Sequence, residues 1–439
     1  MRRITMDPEM NTSISSIRSQ EILDSRGNPT VEATVLLDCG ITGTASVPSG
    51  ASTGIHESQE LRDNDPKRYK GKGVLHVVEK SIPAIETLLK GMSVNDQRAI
   101  DRNMIELDGT PEKKVLGANA ILAVSLACAR AGAIASDIPL YTYLRKIYWP
   151  DVAGWILPVP QMNVLNGGKH APGSVDMQEF MIMPVKAPSF VEALRMGSQT
   201  YHALKSLLLE KKLPVGVGDE GGFMPKVSSH EEMLTVLVDA IRLAGYEPGN
   251  DIVIGLDPAA SEFFENGAYM LKTENATLTS SELIARYQSW TERFSVVSIE
   301  DGLSEDDWDG FVDMMNKMGD RVQIVGDDLF VTHPDRLTKG IELHAANAIL
   351  VKLNQIGTLS ETADVITRAK SAGLNTVISH RSGETEDAFI ADLAVACNAG
   401  QIKSGAPCRM ERVAKYNRLL HIEHDLHSTS QFATFSFLR

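Results

Sequence analysis

The chain has 439 residues, of which 43% are hydrophobic and 23% charged; that is enough to bury a large core, in about two domains. A formal charge of −14 argues against nucleic acid as the primary ligand, and the longest apolar stretch, broken by Arg130, is a poor membrane span. Cys39, Cys128, Cys397 and Cys408 have neither CxxC nor zinc-finger spacing, and no apolar run follows the first two arginines. Reduced thiols in a cytoplasmic protein without a secretory signal are therefore expected, while a secreted or cell-surface pool is not readable from sequence.

In chain order, residues 1–12 are expected to be a disordered extension. Thr30–Leu37 alternates as a strand, closed by Cys39-Gly40. The alanine-rich run from Gly117 to Ser136 predicts a helix buried on most faces. Around Tyr141 to Pro160, Trp149-Pro150 and Pro158-Val159-Pro160 predict a linker. From Val253 onward short apolar strands alternate with amphipathic helices. Strands are predicted at 253–257, 296–301, 322–328, 348–354, 375–380 and 401–403. Thr279–Glu282 and Thr358–Glu361 read as capping boxes, and the helix after the second stops at Gly373. Asp327, Lys352, His380 and Lys403 follow one another at 23 to 28 residues, the length of one βα unit. Repeated βα units predict an α/β fold with a parallel sheet or barrel. In a barrel, Asp257, Glu300, Asp327, Lys352, His380 and Lys403 would face one mouth.

Three carboxylates at successive strand ends cannot share a mouth without a cation, and hard oxygen donors favour magnesium, manganese or calcium over zinc. Singly, Asp257, Glu300 or Asp327 could be a helix cap or a solvated loop acid. Lys352, inside an apolar strand, reads either as a structural ion pair or as a general base. As a base its pKa would be lowered toward ~7–8 by desolvation and nearby cations. Lys403 would be a second, charged lysine at the mouth. Glu220, in VGVGDEGGF, is a loop acid or a proton donor opposite Lys352. His380, Arg381 and Ser382 stand together at a strand end, a set that suits a phosphate. The small-residue loop SVPSGASTG, with Ser49, Ser52 and Thr53, is a flexible connection or a lid, and NGGKHAPG presents His170 on a glycine loop.

LVKLNQIGTLSET (350–362) resembles the enolase signature, and EILDSRGNPTVE, SGASTG, QEFMIMP, GDEGGF, SHRSGETED and IKSGAPCRMERVAKYN resemble further enolase segments, in order from about Ser15 to His424. The resemblance implies a smaller N-terminal α+β domain over 13–148 that caps a C-terminal (β/α) TIM-like barrel over 149–439. It implies a glycolytic lyase converting 2-phosphoglycerate to phosphoenolpyruvate, with two magnesium ions per active site. Lys352 then matches the base and Glu220 the acid. Asp257, Glu300 and Asp327 match the first magnesium's ligands, and Ser52 the lid serine at the second. His170, Gln178, Glu179, His380, Arg381, Ser382 and Lys403 match substrate-contacting positions. A homo-oligomer, a dimer or an octamer, is implied as well. Ser360 stands where the signature has threonine, and the loop after His170 reads Ala-Pro-Gly. Competing readings are a superfamily relative acting on an unphosphorylated carboxylate, which would not need the His380-Arg381-Ser382 run, and a scaffold with no activity.

Overall fold

A computed structural model describes residues 11–50 and 56–437. Order begins within the expected extension: the carbonyls of Asn11 and Thr12 accept the N–H groups of Cys39 and Val94. Three strands, β1 (Ile14–Leu23), β2 (Pro29–Leu37) and β3 (Thr42–Ser46), form an antiparallel sheet in that order. Alternation in β2 turns Val31, Ala33, Val35 and Leu37 inward. That face is covered most closely by α3 (Ala118–Ala135); α1 (Ile82–Leu89) packs against β1, and α2 (Gln97–Asp108) packs on α1 and α3. The approach is tight at Gly43, where a Cβ would stand 2.3 Å from the Ala127 carbonyl oxygen. Among the described residues α3 is the single helix long and apolar enough to cross a membrane, and it is buried inside the fold.

The linker expected over Tyr141–Pro160 is corrected. Leu140–Tyr148 forms α4, whose Tyr141, Tyr143, Leu144 and Tyr148 are buried. Its Arg145 is buried too, and donates to the Val395 carbonyl at 2.8 Å and Asn398 Oδ1 at 2.6 Å. Those acceptors lie about 250 residues away in sequence, so the local prolines dominated the reading.

Eight strands then close a barrel in chain order: β4 (Val159–Asn166), β5 (Glu179–Pro184), β6 (Ile252–Asp257), β7 (Val296–Glu300), β8 (Gln323–Gly326), β9 (Ala348–Val351), β10 (Asn375–Ser379) and β11 (Gly400–Lys403). All neighbours are parallel except β5, which runs against β4 and β6. Both β4 and β5, like β6, are buried along their whole length. Helices α5 (Phe190–Glu210) and α6 (His230–Leu243) lie between β5 and β6. From β6 on each strand is followed by a main helix, with one extra short turn of helix (Leu353–Ile356) after β9: α7 (Ser280–Phe294), α8 (Trp308–Met318), α9 (Pro334–Leu343), α10 (Leu359–Ser371), α11 (Phe389–Ala396) and α12 (Met410–Leu426). Leu283, Tyr287 and Trp290 of α7 are buried at helical spacing. Its capping box is complete, whereas at α10 Glu361 turns its carboxylate to the Thr358 hydroxyl and to Lys113 Nζ at 3.0 Å.

Where the sheet domain meets the barrel, Arg98 pairs with Asp364 at 3.0 Å, Arg130 with Asp387 at 2.6 Å, and Lys113 with Glu361. Asp101 of α2 is fully buried there, accepting from Gln97 Nε2 at 3.0 Å and the Ser360 N–H at 2.9 Å. Ser360, the signature's departure, also shares a 2.9 Å hydrogen bond with the Tyr148 hydroxyl. Burial pushes the Asp101 carboxyl up to about 6, from 3.8. The native state therefore holds this proton where the unfolded chain has released it. The stability that the proton confers is present below pH 4 and is lost as pH rises through 6, on the order of 3 kcal/mol. Asp101→Asn cannot ionise, so the stability difference between variant and parent should change by that amount between pH 4 and pH 7. Urea unfolding at both pH values measures it; parallel curves would contradict the assignment.

Candidate active site

The strand ends deliver their polar residues to one cleft. His170, Gln178, Glu179, Glu220, Asp257, Asp327, Lys352, His380, Arg381, Ser382 and Lys403 all line it, together with Asp301 and Asp328. Glu300 stands next to them through Lys403. Ser52 lies outside the described residues.

Asp257 and Glu300 end β6 and β7, and Asp327 follows β8, so the three acids come from adjacent strands. Lys403 Nζ lies among acids, 2.8 Å from Asp257, 2.7 Å from Glu300 and 3.1 Å from Glu179. Burial works against its charge, but those carboxylates outweigh burial and hold it well above the ordinary lysine value. Asp301, at φ 42°, accepts the N–H groups of Asp327 at 2.9 Å and Asp328 at 2.7 Å, and so aims that loop. Burial and the mutual repulsion of these acids raise Glu300 and Asp301 well above the carboxylate range, and Asp328 to about 8. Acids arranged this way call for a further counter-charge. Glu300 Oε2 is buried with no hydrogen-bond partner among the described residues, and ligand atoms of Asp301, Asp327 and Asp328 lie within 4.8 Å of one another. Hard oxygen donors of this kind fit a divalent cation.

Lys352 follows β9 and pairs directly with Asp327. Its pKa reflects two opposed causes. Burial does pull it down, but the charges of Asp327, Asp328 and Glu300 raise it above the ordinary lysine value. Its backbone N–H donates to Thr332 Oγ1 at 3.0 Å, and Thr332 donates to Gln355 Oε1 at 2.7 Å. Gln355 in turn donates to Asp327 Oδ1 at 2.9 Å. Val331 and Thr332, both β-branched, adopt φ 45° and 53°, a strained arrangement that this network holds in place.

Glu220 comes from the 218–223 turn beside β4, where a Cβ on Gly221 (φ 88°) would meet the Cys408 carbonyl oxygen at 3.1 Å. The Ala406 N–H bonds the Glu220 carbonyl at 2.9 Å, fixing the turn against the segment after β11. The carboxylate accepts from Asn163 Nδ2 at 3.0 Å and faces His380 at 3.5 Å and His170 at 4.0 Å. Glu179 lies 3.7 Å from the other nitrogen of His170. Burial pushes His380 down to about 4, and an Arg412 N–H at its Nδ1 (2.6 Å) places the imidazole proton on Nε2, toward Glu220. Glu179 and Glu220 are close like charges in one buried site, so one proton is shared between them. Burial and the Glu220 charge raise Glu179 well above its range, whereas at Glu220 burial is outweighed by the two histidines. With the protein's own charges alone, the proton is thus favoured on Glu179 over Glu220.

Arg381 and Ser382 sit at the end of β10. Arg412 of α12, fully buried, donates to the carbonyls of Arg381 at 2.5 Å, Ser382 at 2.6 Å and Asp219 at 3.2 Å. It therefore joins the Glu220 turn to the Arg381 turn. Sequence reading missed Arg412, Asn163, Gln355, Glu57, Asp301 and Asp328. The doublets Glu300-Asp301 and Asp327-Asp328 were the available signal for the last two.

Two family models account for most of the chain: "Enolase, N-terminal domain" matches residues 14–144 and "Enolase, C-terminal TIM barrel domain" matches 154–439. With an eight-stranded barrel carrying acids, two lysines and an arginine at one mouth, and both domain models matched in order, the chain belongs to the enolase family and is a lyase-type enzyme.

Proposed function

We propose that this enzyme interconverts 2-phosphoglycerate and phosphoenolpyruvate, with two magnesium ions per active site. The observation that carries the reading is one cleft holding two lysines, the close Glu179–Glu220 acid pair and the Arg381-Ser382 turn. A lysine base beside one or two magnesium ions is the general pattern of enolase-superfamily sites. Asp257, Glu300 and Asp327 would hold the first ion, and Ser52 would help to hold the second. Bound there, magnesium ions supply Lewis-acid stabilisation of the charge developing on the substrate carboxylate and offset the acids that keep Lys352 protonated.

Lys352 takes the proton beside the substrate carboxylate. Lys403, held cationic, binds that carboxylate. Arg381, with the Ser382 hydroxyl, binds the phosphate through charge-assisted hydrogen bonds, and this need favours a phosphorylated substrate over a plain hydroxy acid. Hydroxide is a poor leaving group, and the proton it requires is the one the Glu179–Glu220 pair carries, delivered through Glu220 so that water departs. His380 and His170 orient that pair. A homodimer in the cytoplasm belongs to the same proposal.

Ultraviolet absorbance of phosphoenolpyruvate formed from 2-phosphoglycerate tests the reading. Turnover is expected with magnesium and should disappear on adding a chelator. No turnover in folded, magnesium-loaded protein would favour the scaffold reading instead.

A further inference from the structure

Arg381 belongs to the barrel, yet its guanidinium is gripped from the other domain. Glu57 accepts from Nη1 at 2.9 Å and from Nη2 at 3.1 Å, a two-pronged pair whose side chains are 3% and 6% exposed. Nη1 also donates to Asn354 Oδ1 at 3.0 Å. The same Glu57 carboxylate accepts from Gln355 Nε2 at 3.4 Å, and Gln355 bonds Asp327, the partner of Lys352. The segment carrying Glu57 is anchored in turn: the Ser58 N–H donates to the Gln355 carbonyl at 2.9 Å, and the Ser58 hydroxyl to the Ile356 carbonyl at 3.1 Å.

A buried ion pair is a poor way to glue two domains, because desolvation cancels much of its attraction and an apolar contact would do as well. Exposed pairs such as Arg98–Asp364 already bridge the same two domains without touching the cleft. What the Glu57 contact does supply is orientation. An arginine side chain has several rotatable bonds, and a carboxylate held in two-pronged register selects one placement of the planar fork. We infer that Glu57 is a positioning residue: it sets the Arg381 guanidinium for the substrate's phosphate and, through Gln355, ties the phosphate end of the cleft to the Asp327–Lys352 end. The inference rests on the proposed reading of the cleft. The rival role, a counter-ion that merely competes with phosphate, carries the opposite sign.

The test is Glu57→Gln in the full-length protein, which keeps the shape and removes the charge. Losing a charge-assisted pair should raise KM for 2-phosphoglycerate roughly 10–100-fold and weaken inhibition by inorganic phosphate by a similar factor. kcat should fall by less; the unfolding midpoint should also drop, because a buried charge loses its partner, so the assays are run where the variant is folded. Glu57→Asp, one methylene too short to reach both nitrogens, should recover only part of the loss. Arg98→Ala, which breaks a domain-bridging pair outside the cleft, should leave KM unchanged. A KM that is unaltered or lower in Glu57→Gln, or a rise matched by Arg98→Ala, would overturn the inference. Calorimetric titration with inorganic phosphate separates this from the larger reading: weaker phosphate binding in Glu57→Gln supports the positioning role even if 2-phosphoglycerate proves not to be the substrate, and equal binding refutes it.

Discussion

Lys352→Ala is expected to lower kcat about 10²–10⁴-fold and to abolish exchange of the substrate's carbon-bound proton with solvent, leaving a folded protein. Its ammonium is the group in the cleft that pairs with Asp327 and can yield its proton once the surrounding acids are offset. Glu220→Gln should behave differently. Proton removal does not need the Glu179–Glu220 pair, so exchange should persist while phosphoenolpyruvate formation falls by a similar factor. Exchange is read by mass spectrometry in deuterated buffer, and dehydration by absorbance. Equal loss of both steps in Glu220→Gln would contradict the division of roles, as would exchange surviving in Lys352→Ala.

Arg412→Met should be the most damaging change outside the groups that meet substrate. The arginine reaches four acceptors: the Arg381, Ser382 and Asp219 carbonyls and His380 Nδ1. Methionine fills much of the volume but donates nothing, leaving buried acceptors unpaired. A loss of about 3–5 kcal/mol is expected, read as a lower urea midpoint. Activity should fall further than stability under native conditions, because the Glu220 turn and the Arg381 turn would no longer be held in register. The His380 proton would also lose the bond that places it on Nε2. A variant with parental stability and activity would show that water replaces the guanidinium at no cost.

The parallel half of the barrel was readable because each βα unit is a local pattern: an apolar strand, a polar residue at its end, then a capped helix. That periodicity placed Asp257, Glu300, Asp327, Lys352, His380 and Lys403 within a residue of the observed strand ends. The β4–β5 pair escaped because it is an antiparallel pair with no α-helix between its strands, so the βα pattern does not mark it. α4 escaped because its prolines are local whereas the partners of Arg145 are distant.

From residue types and spacing alone, this sequence determined which side chains could do acid–base, metal-binding and phosphate-binding work, and that they would share a mouth. Tertiary structure alone decided how those groups are charged and aimed. Among the protein's own charges, Asp327 against Lys352 holds that lysine up, and burial beside Glu220 raises Glu179. Arg381 is gripped by Glu57 from 324 residues away. Hydropathy and turn chemistry act between neighbours in the chain, whereas ionisation depends on burial and on charges a few ångströms off, and only the folded chain determines which charges those are.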